Sequence, residues 1–81
     1  MGHTIDSHHF YSATQAKCWA VRDASGGLVG SVRVSLGFSH PVRMDAFPEL
    51  TGAIKKNGGD PVKWWAFRSM DEARTALAAL A

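Results

Sequence analysis

Between Leu28 and Leu36 the chain alternates. Leu28, Val32, Val34 and Leu36 share one parity, with Gly30 between them, while Ser31, Arg33 and Ser35 take the other. A helix has no use for that pattern, because its same-face neighbours lie three and four residues apart, whereas a strand with one face on a core requires it. Just upstream, Lys17 to Asp23 reads Lys, Cys, Trp, Ala, Val, Arg, Asp and runs into Ala24, Ser25, Gly26 and Gly27. Either glycine can take positive φ, so the two segments are read as a β-hairpin.

The flanking segments add helices and one more strand. Gly37 to Pro41 breaks the sheet. Asp45 to Asn57 reads as a helix, with Phe47, Leu50 and Ile54 on one side. Pro48 belongs in its first turn, so the helix proper starts near that residue, and Gly58 stops it. Asp60 and Pro61 lead to an aromatic strand, Val62 to Arg68, containing Trp64, Trp65 and Phe67. Ser69 and Glu72 have the spacing of a capping box, which opens a second helix striped with Met70, Ala73, Leu77 and Leu80.

The expected fold is α+β: a three- to four-stranded, mainly antiparallel sheet with two helices on one face, in the order β-hairpin, helix, strand, helix. A right-handed crossover would join the strands around the first helix if they are parallel. Residues 1–15 form an N-terminal arm or edge strand, with a short strand near His9 to Ser12, and residues 16–81 form one compact domain. Eighty-one residues are too few for two domains. The expected core is Trp19, Val21, Val32, Val34, Leu36, Phe47, Leu50, Ile54, Trp65, Phe67, Leu77 and Leu80.

Composition narrows the function by exclusion. One cysteine, Cys18, cannot close a disulfide within the chain, which favours a reducing, cytoplasmic compartment and leaves folding to the core. No apolar run approaches the roughly 20 residues that span a bilayer, so no membrane partner is expected. Nine Lys and Arg against seven Asp and Glu give a net charge of +2, which permits an anionic partner without requiring one.

Candidate chemistry is sparse. His3, His8, His9 and His40 lack the spacing of a zinc site, and adjacent His8 and His9 diverge on a strand. A free Met1 amine with His3 in third place would chelate copper or nickel only as a property of the terminus. Cys18, in mid-strand, reads as an apolar filler rather than a nucleophile. Asp23, Asp60, Glu49, Asp71 and Glu72 all fall at turns or helix starts. No catalytic residue, metal site or cofactor is assigned.

The residues opposite in parity to the core carry the functional expectation. Arg22, Arg33 and Arg68, with Trp64, would stand together on an uncovered sheet face, where guanidiniums hold phosphates or carboxylates and an indole stacks on a planar group. These four are the expected partner-binding residues. A solvated arginine face without function is the alternative, and a one-residue slip of register would exchange the two sets.

Lys63 to Leu77 is similar to the closing strand, Phe-x-Ser turn (Phe67, Arg68, Ser69) and Glu-Ala helix of several small modules, including viroplasmin-like domains attached to ribonuclease H enzymes. That resemblance implies a sheet-and-helix module, and no site residue is carried over from it. In length, single-domain build and lack of a catalytic constellation the chain also resembles small phage-encoded anti-defence proteins of the anti-CRISPR type. The resemblance implies a non-enzymatic, stoichiometric inhibitor docking on a host defence or nuclease complex. A single-stranded nucleic-acid-binding module using the same face is the alternative, and a second copy of the chain is a further candidate partner.

Overall fold

A computed structural model describes residues 2–58 and 64–80, apart from the side chain of Trp64. The elements run β1 (Thr4–Tyr11), β2 (Lys17–Arg22), β3 (Leu28–Val34), β4 (Val42–Ala46), α1 (Pro48–Lys56), β5 (Trp64–Phe67) and α2 (Met70–Ala78). The fold is α+β, with five strands rather than three or four, ordered β1-β2-β3-β4-β5 and antiparallel at every pairing. No crossover forms: the strands on either side of α1 are antiparallel neighbours.

The fifth strand is β4. Val42, Met44 and Ala46 alternate as a half-buried strand should, but the Gly37–Pro41 break and the expected helix start at Asp45 hid five residues of alternation. Asp45 lies in this strand, and α1 begins at Pro48, as the proline requires. The expected arm is also ordered further than anticipated. Strand β1 starts at Thr4, Ile5 enters the core, and His3 is buried.

Both helices pack on one face. Trp19, Val32, Met44 and Trp65 stand opposite one another across four strands, and Val21, Gly30 and Ala46 form the next row. These two rows face Leu50 and Ile54 of α1 and Ala73 and Leu77 of α2. The glycine in this floor is needed, because a Cβ at Gly30 would lie 2.6 Å from the Asp45 carbonyl oxygen and 3.2 Å from Leu50 Cδ2. Leu50 can therefore descend onto the sheet only where the side chain is missing.

Three expected core residues are exposed instead: Val34, Leu36 and Phe47. Val34 ends its strand, Leu36 lies beyond it in the loop, and Phe47 caps α1 from outside. Ile5, Val29, Val42, Met44 and Ala73 complete the core. Val29 replaces Leu28 because β3 carries a bulge: Val21 pairs with Gly30 but Arg22 pairs with Leu28, so one extra residue reverses the parity.

Helix α2 starts on Ser69, whose Oγ accepts from the Glu72 N–H at 3.1 Å. The reciprocal bond differs from the expected capping box: Glu72 Oε2 accepts from the Arg68 N–H at 3.1 Å, one residue earlier. Ser69→Ala should lower stability by about 0.5–2 kcal/mol, read as a shift of the urea midpoint at unchanged m-value. An unchanged midpoint would mean that the cap contributes nothing. The expected strand start at Val62 and the Asp60–Pro61 lead-in lie outside the described residues.

Candidate functional site: an arginine pair on the open sheet face

The face away from the helices is built by the other parity. One row, near the β3–β4 loop end, runs Phe10, Cys18, Arg33, Arg43, Ala66 across all five strands, each residue opposite the next. A second row contains Ala20, Ser31 and Asp45, and Thr4 and Arg22 pair further along. Cys18 is a buried free thiol here, a short side chain flanked by Phe10 and Arg33.

Arg33 and Arg43 are direct cross-strand partners and half-buried, each with an enclosed Nε. Like charges placed opposite one another repel; Arg43 also has an interaction of its own within the molecule, and the pair still offers an anion two forked donors. Arg43 also joins Ser35, Phe38, Ser39, His40 and Ala66 in lining a cleft of about 290 Å³. Phe38, 70% exposed, supplies an aromatic wall beside the guanidinium. The Ser39 hydroxyl lies 3.2 Å from His40 Nδ1.

Of the expected arginines, Arg22 stands apart from Arg33 and Arg68. Arg33 lies on the middle strand, one residue from its β3–β4 loop end. Arg22 is at the far end, where its Nε donates to both Asp6 oxygens at 3.0 and 3.2 Å and its Nη1 to the Gly26 carbonyl at 3.1 Å. Two extra residues in β1 between Ile5 and His9 make that ion pair, since they leave Asp6 in the irregular stretch of strand beside Arg22. Arg68 follows the last residue of β5 and is exposed at the same end of the sheet as the cleft. Trp64 pairs with Asp45 through its backbone, and its side chain lies outside the described residues. Arg43 was missed because it falls in the unrecognised strand; reading Val42, Met44 and Ala46 as inward would have put Arg43 outward.

Charge is therefore sorted along the face. The end carrying the β3–β4 loop holds Arg33, Arg43 and Arg68, and the opposite end holds Asp6 and Asp45 with Arg22 already paired. At that opposite end Asp23 caps the β2–β3 turn, accepting from the Ser25 hydroxyl (2.7 Å), the Gly27 N–H (2.8 Å) and the Ser25 N–H (3.0 Å). The Ser25 hydroxyl first, then the Gly27 amide, holds its carboxyl below the ordinary value of 3.8. A depressed carboxyl contributes stability that is fully present above its ordinary range and is lost as pH falls through the folded-state value. Asp23→Ala should thus be less stable than the parent at pH 7, and the gap should narrow as pH falls below the ordinary carboxyl value in parallel thermal melts; a gap that does not change with pH would contradict this.

His8 and His9 make different contacts. His8 Nδ1 lies 3.3 Å from the Ser7 hydroxyl, and His9 meets Trp19 edge-on with ring centroids 6.1 Å apart. His3 is held by the fold: its N–H donates to the Leu77 carbonyl at 3.1 Å and its ring is buried. Terminal copper or nickel chelation would have to compete with that packing. Among the described residues no helix is long and apolar enough to cross a membrane. No protein-family model matches this chain, and no curated protein or solved structure matches it.

Proposed function

We propose that this chain is a non-enzymatic, stoichiometric binding protein that takes an anionic macromolecular partner on its open sheet face. The observation that carries the reading is the direct pairing of Arg33 with Arg43 on the face that neither helix covers. Two forked donors about 5 Å apart at their Cα atoms suit carboxylates or phosphates presented in series. The narrower form, a phage-type inhibitor docked on a nucleic-acid-handling complex in the cytoplasm, rests on the small α+β build and the single buried cysteine. A nucleic acid is the second reading, favoured by the aromatic wall that Phe38 places beside Arg43.

Site-specific photocrosslinking tests the proposal. A benzophenone side chain at Ala66, in the arginine row, should give one discrete adduct in a lysate of the source cell, and the same group at Glu49 on α1 should give none. Arg33→Glu with Arg43→Glu should abolish the adduct. Equal labelling from both positions, or an adduct indifferent to the charge reversal, would overturn the proposal. Digestion of the adduct by protease or by nuclease then identifies the partner class.

A further inference from the structure

The row that holds the arginine pair is bounded on both sides by exposed aromatic rings. Phe10, 46% exposed, is the β1 member of the row, and Phe38 walls the cleft at Arg43 and Ala66. From Phe10 to Arg43 the row crosses three strand spacings, about 14 Å. Along it the order is the Phe10 ring, the Cys18 thiol, guanidinium, guanidinium, then a cleft with a ring, an imidazole and two serine hydroxyls.

We propose that this row is a track for single-stranded nucleic acid, running across the strands, with consecutive phosphates on Arg33 and Arg43 and flanking bases on Phe10 and in the Phe38 cleft. The inference rests on the anionic-partner reading and names the partner's class. Three features favour a nucleic acid over an acidic peptide. Carboxylate side chains need guanidiniums but no rings, whereas a base has a π-face that stacks on any aromatic side chain. The cleft, about 290 Å³, is at the small end of ligand-pocket size and suits one planar group rather than a folded protein surface. Ser35 and Ser39 place hydroxyl donors beside Arg43, where a phosphate oxygen has two lone pairs left to satisfy. A duplex keeps its bases stacked on one another, so the rings have nothing to take from it. The charge sorting sets the direction in which the strand leaves: Asp45 repels it from the turn end, where Asp6 and Arg22 neutralise each other, and Arg68 draws it toward the β5–α2 connection.

The test is fluorescence anisotropy with a labelled dT12 oligonucleotide and the matching duplex, from 25 to 300 mM salt. The single strand should bind and the duplex should bind at least tenfold more weakly. The logarithm of affinity should fall with the logarithm of salt by about 0.7 for each phosphate held, and Arg33→Ala should remove about that much from the slope. Phe38→Ala should weaken binding roughly 5- to 150-fold at unchanged slope. Phe38 is in an exposed loop, so this variant keeps its circular dichroism spectrum and its result cannot be ascribed to misfolding. No single-strand binding at 25 mM salt, equal affinity for the duplex, or a Phe38→Ala affinity equal to the parent's would each overturn the inference. A protease-sensitive adduct from the Ala66 photocrosslinker together with no oligonucleotide binding would sink the nucleic-acid track alone. Failure of both experiments would sink the anionic-partner reading as well.

Discussion

Leu50→Ala should destabilise the protein by about 2–5 kcal/mol, the cost of removing a buried leucine together with the cavity it leaves. Leu50 is fully buried and lies over the bare backbone of Gly30, so no neighbouring side chain can close the space from the sheet side. A domain of 81 residues has about 4–12 kcal/mol of stability in all, so this one truncation is expected to consume a large part of it. The complementary change, Gly30→Ala, should cost about 1–3 kcal/mol by overpacking. Combining the two should not restore the parent, because removing Leu50 Cδ2 relieves the 3.2 Å approach while the 2.6 Å approach to the Asp45 carbonyl remains. Chemical denaturation of the four proteins would measure this. A double variant as stable as the parent would mean that Gly30 serves only to admit Leu50.

A second large effect should separate adjacent residues on β4. Met44 is buried beneath the helices and stands opposite Val32 and Trp65, whereas Arg43 belongs to the open row. Met44→Glu places an unpaired carboxylate where water cannot reach, which costs several kcal/mol and should leave little folded protein at neutral pH. Arg43→Glu gives up the interaction Arg43 makes within the molecule but places the carboxylate opposite Arg33, where opposite charges on neighbouring strands attract, and should lower the melting temperature far less than Met44→Glu. The contrast is read from thermal melts of the two variants side by side. Comparable losses would mean that β4 does not present one covered and one open face.

The same two faces mark what was legible in the sequence. Trp19, Val21, Val32, Trp65 and Phe67 fall on the covered side as the sequence predicts, because alternation in β2, β5 and the Gly30–Val34 part of β3 needs only local reading. Where strands depart from period two, local reading failed. The extra residue in β3 exchanged Leu28 for Val29, and the extra residues in β1 tied Arg22 to Asp6 by a contact sixteen residues distant, which no local pattern encodes. Strand β4 was lost for a different reason: five residues between a Ser-His-Pro break and a proline-led helix are too few to stand out against either neighbour. That loss removed Arg43 from the expected site and left Arg33 without its nearest companion. Leu36 was misplaced because alternation continued past the end of hydrogen bonding, where a side chain no longer has a sheet beneath it.

Both binding proposals require Arg33 and Arg43 to stand side by side, and disulfide trapping measures that directly. In a Cys18→Ala background, cysteines at positions 33 and 43 would have Cα atoms about 4.5–5.5 Å apart, within the range a disulfide spans. Mild oxidation should close a bond within one chain, detected by mass as the loss of two hydrogens with the fold intact, while a control pair at positions 33 and 42 should stay reduced. Free thiols at 33 and 43, or bonds formed only between chains, would show that the two arginines are not neighbours and would leave the open face without its site.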